Sequence, residues 1–315
     1  MRKIDDEIQA LLSEHRGDIR SILKDNHRLD LLYALSSQRE LLLEWYDFEP
    51  EAEVLQVGAD YGALTGLLRS SVSAVTVLDE TESALETVRQ RYPGAANIYY
   101  RKDSLAGYAA EACAEGKKYD YVIFAGTLTA PYEKHIHAAK SLLKPDGILI
   151  VALANALGMK YFAGTVEEEN ALTKRQLAEL LCGDKETQSM ADESGTLKFY
   201  YPMPDYKTPV SIYSDAYLPK KGDLTRVTPA YDYPPYHLME QGEKFDTVCE
   251  AGLFDLYANS YLVFWSADPK QLQKDDERIF IKYNKTRREE FQIKTCICER
   301  NVIGAAGASG AAGAD

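Results

Sequence analysis

The sequence predicts an α/β protein built on a doubly wound, mostly parallel sheet. Short apolar runs rich in β-branched residues alternate with helical patterns, and strands joined by helices pair in parallel through right-handed crossovers. Both faces of such a sheet are covered. The five strand-like runs are 54–57, 74–78, 97–100, 121–124 and 148–153. The helical patterns between them cover 64–69, 82–91, 106–115 and 132–143.

The segments on either side of this alternation have other patterns. Residues 1–50 carry apolar side chains at helical spacing up to Pro50 and predict an N-terminal helical segment. Residues 51–270 form the main domain, in which a helix at 172–181 and strands at 196–201 and 261–265 complete a seven-stranded sheet.

A long insertion is expected before the last of these strands. Residues 203–258 are rich in Tyr and Pro, and a segment of this length between strands typically folds locally or carries function. Alternation at 279–283 and 291–295 predicts a β-hairpin extension over 271–303. Residues 304–315 are Gly, Ala and Ser with a final Asp, which predicts a disordered tail and an adjoining C-terminal domain in a longer protein.

Composition excludes several classes of protein. The 315 residues include 36 basic and 49 acidic side chains, and the net charge of −13 disfavours general binding to nucleic acids. The longest apolar stretch, 147–158, is too short for a membrane span. Five cysteines without a CxxC pair favour reduced thiols and a cytoplasmic location, and we expect no metal site.

The most informative motif lies at 54–66, where a buried strand leads through a glycine-rich turn into a helix. A P-loop is excluded because no Gly-Lys-Ser/Thr follows the turn. A dinucleotide fingerprint needs glycines at 58, 60 and 63, and only Gly58 is present. The GxGxG pattern of S-adenosylmethionine sites needs 58, 60 and 62, and Gly58 and Gly62 match it. Small residues here let a ligand approach the backbone.

Acidic residues follow the next two strands. Asp79 ends the second strand, 21 positions after Gly58, where a carboxylate can accept both ribose hydroxyls of an adenosine. The third strand leads to Asp103 and Ser104. Because the carboxyl ends of parallel strands share one edge of the sheet, we expect these residues to meet at one site.

With these residues, the chain resembles the class I S-adenosylmethionine-dependent methyltransferases over about residues 35–155. The resemblance includes 119–126 as the fourth strand and Leu-Leu-Lys-Pro-Asp-Gly-Ile-Leu-Ile at 142–150 as the turn into the fifth. It implies a Rossmann-like fold, S-adenosylmethionine as cofactor, and methyl transfer. The implied cofactor-binding residues are Gly58, Ala59, Asp60, Tyr61, Gly62, Asp79, Glu80, Asp103, Ser104 and Gly126.

Three further stretches, 39–45, 199–206 and 258–262, resemble bacterial methyltransferases that accompany glycan and cell-surface biosynthesis. This resemblance implies a small molecule or glycan precursor as acceptor. The insertion at 203–258 then acts as a lid, with Asp205, Tyr206 and Tyr213 as substrate-binding residues. The sequence names no catalytic residue, because methyl transfer from a sulfonium depends mainly on positioning in a dry pocket.

Two positions depart from the family pattern and keep alternatives open. Gln56 stands where an acidic residue is usual, and Asp60 replaces the middle glycine. The Asp60 carboxylate would lie near the methionyl end of the cofactor and would either repel its carboxylate or bind its ammonium. The alternative is therefore a degenerate, non-catalytic domain that serves as a binding module or scaffold. The missing glycines disfavour a third hypothesis, an NAD-dependent oxidoreductase. A Pro-Pro-Tyr at 234–236 lies too far beyond the fourth strand to indicate DNA methylation.

Overall fold

The computed structural model describes residues 3–183, 195–225, 238–273, 276–284 and 289–300. They form one ten-stranded sheet with helices against it. The strands are β1 (Glu53–Val57), β2 (Ala74–Asp79), β3 (Ile98–Lys102), β4 (Tyr119–Ala125), β5 (Leu143–Ala154), β6 (Thr196–Met203), β7 (Ser211–Ser214), β8 (Ser260–Ser266), β9 (Asp276–Asn284) and β10 (Ile293–Arg300).

Most helices lie where the periodicity predicts them, and the structure adds a short helix after β5 and two helices in the insertion. They are α1 (Lys3–Glu14), α2 (Ile19–Asp25), α3 (Leu29–Leu35), α4 (Thr65–Ser71), α5 (Glu82–Arg91), α6 (Leu105–Ala114), α7 (Tyr132–Ser141), α8 (Met159–Phe162), α9 (Lys174–Cys182), α10 (Gln241–Glu250) and α11 (Phe254–Tyr257). Short 3-10 turns cover Ser37–Leu42, Asp60–Gly62, Pro269–Leu272 and Glu289–Phe291. Thr173 caps α9 through its hydroxyl and forms a capping box with Gln176, which fixes the start of that helix.

Half of the sheet confirms the predicted parallel α/β core. Its order is β3-β2-β1-β4-β5, with every neighbouring pair parallel. The chain moves outward from β1 to β3, returns, and then moves the other way through β4 and β5. The strand order therefore reverses between β1 and β4, and a crevice forms at such a switch point, outside the carboxyl ends of the strands.

The other half corrects the expected count of seven strands to ten. Beyond β5 the order is β8-β6-β7-β9-β10, and all of these pairs are antiparallel. The insertion supplies β7, and the terminal hairpin continues the sheet because Ile281 of β9 lies opposite Ile212 of β7. A strand of four residues, Ser-Ile-Tyr-Ser, is too short to show an alternating pattern, so pairing with both neighbours decides its conformation.

Parts of two predictions lie outside the described residues. The segment 226–237 includes the insertion's Tyr231, Tyr233 and Tyr236 together with the Pro-Pro-Tyr motif, and the tail at 304–315 is also not described.

Apolar side chains on the two faces of the sheet form two separate cores. Along β4, Val122 and Phe124 pack on the face that carries α6, α7 and α9, whereas Tyr121 and Ile123 pack on the face that carries α4 and α5. A third cluster holds the N-terminal helices together through Ile8, Leu12, Ile22, Leu31, Ala34 and Leu35, and Tyr61 of the glycine turn packs against it. The N-terminal helices thereby cover the turn after β1.

A buried asparagine joins the end of β5 to the end of the insertion. Asn155 is fully buried, and its amide donates to the carbonyls of Leu256 and Ala258 at 2.7 Å each. Its side-chain oxygen accepts from the N–H of Leu157 at 3.0 Å. The bond to Ala258 is buried and those to Leu256 and Leu157 are partly buried, and together they hold the insertion at the carboxyl edge of the sheet.

Asn155→Ala should lower the free energy of unfolding by about 2–4 kcal/mol, because the carbonyls of Leu256 and Ala258 and the N–H of Leu157 lose the hydrogen bonds that this side chain makes. Chemical denaturation at constant m-value measures the change. The control is Asn97→Ala, which removes a solvent-accessible bond to the carbonyl of Arg69 and should cost less than about 1 kcal/mol. Equal effects of the two substitutions would contradict a structural role for Asn155.

Candidate functional site

The turn after β1 has a left-handed backbone along most of its length. Gly58 has φ +88° and Gly62 has φ +73°, and between them Asp60 and Tyr61 have φ +40° and +54°. Glycine adopts this region without strain, and Asp tolerates it better than most side chains. The turn therefore keeps a glycine-rich geometry although the middle glycine is replaced.

Gln56 explains how the turn is held without the usual acidic residue. Its side chain is buried and donates to the carbonyls of Gly58 and Ala59 at 3.1 and 3.3 Å. Its amide oxygen accepts from the Thr65 hydroxyl at 2.8 Å. Both ends of the amide are thus used inside the protein, and Gln56 stabilises the turn.

Asp79 lies at the end of β2, as predicted, and already has protein partners. Its Oδ2 accepts from the N–H of Ala59 at 3.0 Å. Its Oδ1 accepts from the N–H of Thr81 at 2.9 Å and from the Thr81 hydroxyl at 2.8 Å. A carboxylate offers about four acceptor positions, so one position on Oδ2 is left for a ligand. The Thr81 hydroxyl can rotate to free a second position, on Oδ1.

The end of β4 lies against the same turn. Gly126 has φ +80°, and its carbonyl accepts from the Asn170 amide at 3.1 Å. The Thr127 hydroxyl donates to the carbonyl of Val57. A Cβ on Gly58 would clash with the side chain of Thr127. Packing against Thr127 therefore already requires a glycine at position 58, whether or not a ligand binds there. The sequence did not reveal this constraint.

The other residues predicted to bind a cofactor are spread along the same edge. Ser104 caps α6, since its hydroxyl accepts from the N–H of Gly107 at 3.1 Å, and Asp103 lies 3.4 Å from Arg101. Glu80 is exposed. The Tyr61 hydroxyl donates to Asp5 of α1 at 2.7 Å, so this side chain extends towards the N-terminal helices.

A buried network of charges joins the segments that follow β5 and β6. The ammonium of Lys160 is fully buried and lies 2.7 Å from Asp205 and 2.9 Å from Glu168. Lys207 also contacts Glu168, at 2.9 Å. The network contains two cations and two carboxylates. These opposite charges offset the desolvation cost of burying the Lys160 ammonium. Glu168 and Lys207 keep 21% and 23% of their side chains exposed, so only these two members reach the surface.

Tyr206 connects this network with the end of β4. Its ring packs over Gly126, so close that a Cβ there would lie 2.6 Å from the phenol oxygen. The phenol donates to Glu168 at 3.2 Å. Burial, followed by the charges of Glu168 and Asp205, raises the Tyr206 pKa well above its ordinary value, so the phenol stays protonated. Asp205 and Tyr206 are thus brought together beside the glycine turn.

Tyr213 lies elsewhere. It is a buried residue of β7, with its ring 4.8 Å from Phe280 and 6.5 Å from the nearly parallel ring of Tyr217. It belongs to the core on one face of the sheet, whereas Tyr206 belongs to the core on the other. Its surroundings are those of a packing residue, and its role in substrate binding stays a prediction.

An ion pair also adjoins the glycine turn. Arg39, in the 3-10 turn before β1, donates to Asp60 Oδ2 at 2.6 Å and to the carbonyl of Tyr33 at 3.1 Å. Only 8% of the Arg39 side chain and 25% of the Asp60 side chain are exposed. The charge that Asp60 introduces into the turn is therefore neutralised within the protein.

Sequence reasoning missed the partners that complete the site. Lys160, Glu168, Asn170 and Thr127 were not among the predicted site residues. Lys160 is a single cation in an apolar stretch, which is a weak signal of a buried charge. Glu168 lies in a run of three glutamates, a pattern more typical of a solvated surface. Their roles follow from tertiary contacts alone.

No protein-family model matches the sequence, and no curated protein is significantly similar to it. Several solved structures resemble the fold. Precorrin 8W decarboxylase from Methanobacterium thermoautotrophicum is 14% identical, with a TM-score of 0.41 over 73% of this chain and 90% of its own. The N-methyltransferase NodS from Bradyrhizobium japonicum is 11% identical, with a TM-score of 0.43 over 74% of this chain and 95% of its own.

Phosphoethanolamine N-methyltransferase 1 from Haemonchus contortus is 13% identical, with a TM-score of 0.45 over 83% of this chain and 48% of its own. Its structure contains phosphoethanolamine and S-adenosylhomocysteine, and NodS has also been crystallised with S-adenosylhomocysteine.

Among the residues that the structure describes, no helix is long and apolar enough to cross a bilayer. Within the same ranges, no three acidic, histidine or cysteine side chains form a group that could hold a metal ion. All five cysteines are free thiols.

Glu168→Gln should destabilise the protein by on the order of 3 kcal/mol at neutral pH. Burial raises the Glu168 pKa, but Lys160 and Lys207 outweigh burial and bring it from 4.5 to about 2. A carboxylate with a lowered pKa stabilises the fold fully above pH 4.5, and this contribution is lost as the pH falls towards 2. The difference from wild type should therefore shrink between pH 5 and 3, as measured by chemical denaturation.

The matched control is the exposed neighbour Glu167, whose replacement by Gln should change stability by less than about 0.5 kcal/mol at either pH. A pH-independent effect of Glu168→Gln would show that the charge of Glu168 does not stabilise the buried network.

Proposed function

We propose that this chain binds S-adenosylmethionine at the crevice between β1 and β4 and transfers its methyl group to a small molecule or glycan precursor. One observation carries the proposal. The glycine turn at 58–62, Asp79 and Gly126 converge at the carboxyl edge where the strand order reverses, and open α/β sheets bind their ligands at this place. The free thiols favour a cytoplasmic location.

The residues at the crevice fit an adenosyl cofactor in chemistry and position. The open acceptor position on Asp79 Oδ2 would bind one ribose hydroxyl, and rotation of Thr81 would allow the second. A Cβ on Gly62 would lie 3.0 Å from the Tyr92 ring at the end of α5, so this glycine lets the turn pack against that helix. Asp103 and Ser104 lie at the next strand end and would flank the adenine.

The bound cofactor supplies an activated methyl group on a sulfonium, and the chain's own residues supply position and exclusion of water. Tyr206 would form a wall of the crevice beside the glycine turn, with its protonated phenol held by Glu168. Asp205 accepts a hydrogen bond from Lys160, and this contact fixes the segment that carries Tyr206. Glu168 and Lys207, which reach the surface, would meet a polar acceptor.

The alternative is a domain with this fold that binds no cofactor and serves as a scaffold. Contacts within the protein close much of the crevice, and this observation favours the scaffold. Thr127 joins the ends of β1 and β4, Tyr206 covers Gly126, and Asn170 occupies the carbonyl of Gly126. Each of these groups would otherwise be available to a ligand.

Calorimetric titration with S-adenosylmethionine and S-adenosylhomocysteine separates the two functions. Binding at micromolar to sub-millimolar concentration supports the methyltransferase. If titration up to about 1 mM ligand gives only the heat of dilution, the methyltransferase hypothesis is wrong and the scaffold hypothesis remains.

Asp79→Asn should weaken S-adenosylhomocysteine binding by roughly 10- to 100-fold, since a charge-assisted hydrogen bond to the ribose becomes a neutral one. The control is Asp120→Asn, which removes a carboxylate paired with Lys144 at 2.8 Å at the opposite end of the sheet. Affinity should stay within twofold of wild type in the control. Equal affinity in Asp79→Asn and wild type would show that the ribose does not bind at β2.

A further inference from the structure

The outer edge of the terminal hairpin has no strand against it in the part of the chain that the structure describes. β10 stands at one end of the sheet order, and its neighbour β9 pairs with it antiparallel along its whole length. Every second residue of such a strand turns its N–H and C=O away from its neighbour. About four residues of β10 therefore present backbone donors and acceptors that a further strand could bind.

The side chains of β10 favour such pairing. Ile293 is 52% exposed and Ile297 is 36% exposed, and both lie on one face of the strand with the exposed Thr295. From Ile293 to Cys298 the strand carries a single charge, that of Lys294, and no proline. A long edge strand with exposed β-branched side chains and little charge is a template for pairing with another chain.

The opposite edge of the same sheet is protected. β3 has five residues, Ile-Tyr-Tyr-Arg-Lys, and ends in two cations. Short strands that carry charge resist the addition of another strand. A contact between β10 of one copy and β3 of the next would also leave a free edge at each end and build an open filament, whereas a contact between two copies of β10 closes on itself.

The sequence of β10 is complementary to itself. The segment 293–297, Ile-Lys-Thr-Cys-Ile, has isoleucine at both ends and threonine in the middle of one face. When two copies align antiparallel about Thr295, Ile293 of each copy lies opposite Ile297 of the other. The two threonines then lie opposite each other, where their hydroxyls can form a hydrogen bond. Such cross-strand pairs are what stabilises neighbouring strands.

The charge of the hairpin allows two copies to approach. The whole chain has a net charge of −13, so most surfaces of two copies repel each other. β9 and β10 together contain four basic and three acidic residues, so their net charge is +1. The hairpin is therefore a part of the surface at which this repulsion is absent.

We propose that two copies of this chain associate through β10, antiparallel, with Thr295 at the two-fold axis. The ten described strands of each copy then continue into one sheet. The contact is isologous, so each copy uses the same surface and the assembly stops at two. Five strands separate β10 from β4, so the contact lies away from the crevice and does not depend on what binds there.

Charged variants of the two isoleucines test both the contact and its register. Sedimentation velocity compares wild type, Ile293→Lys, Ile297→Glu and the double variant over about 1–200 µM, a range in which small interfaces associate. The control is Tyr99→Lys on β3, at a side chain that is 56% exposed on the opposite edge. All three positions are exposed, so the fold should tolerate these changes, which circular dichroism checks.

We expect wild type and Tyr99→Lys to form a concentration-dependent dimer. Each single variant should weaken association about 10-fold, because an unpaired charge then faces an isoleucine in both symmetric pairs. In the double variant the introduced lysine faces the introduced glutamate of the second copy, so association should return to within about threefold of wild type. Within one chain these positions are about 13 Å apart along the strand, too far to pair.

Several results would overturn the inference. They are a wild-type chain that stays monomeric at the highest concentration, species larger than a dimer, and single variants that associate as well as wild type. A double variant that associates as weakly as the single variants would contradict the pairing of 293 with 297 and overturn it as well. Each of these results leaves the proposed function standing, because that function is tested by cofactor binding.

Discussion

The buried ammonium of Lys160 is the constraint on which the carboxyl edge of the sheet depends. It lies after β5, and its partners Asp205 and Glu168 come from the segment after β6 and from the loop before α9. A cation without water must keep its carboxylates, so these three segments are fixed relative to each other. Tyr206, next to Asp205, is thereby placed over Gly126 at the end of β4.

This arrangement gives the site its rigid and its adaptable parts. The glycine turn is held by Gln56, and the end of β4 by Asn170, through bonds that do not depend on any ligand. Asp79 combines its protein partners with an acceptor position on Oδ2 that no described residue uses. A site organised before its ligand arrives loses less conformational entropy on binding, and the same internal bonds are what a scaffold domain would retain.

Some strands can be predicted from the sequence and others cannot. The β-branched runs at 54–57 and 74–78 predict β1 and β2 because strands buried on both faces need such side chains. The residue at each strand end, such as Asp79, follows from the same pattern. The four-residue β7 and the joining of β9 to it do not, because a short strand owes its conformation to the hydrogen bonds of its neighbours. Over the described ranges the sheet consequently has ten strands where seven were expected.

The sequence by itself determined the parallel core, the glycine turn with Asp60 in its middle, and the edge at which the candidate site residues gather. These depend on local periodicity and on the geometry of parallel strands. Only the tertiary structure decided which charges pair: Lys160 with Asp205 and Glu168, and Arg39 with Asp60. The reason is physical, since burial makes an ion pair obligatory, and which side chains are buried together depends on segments that lie far apart in the chain.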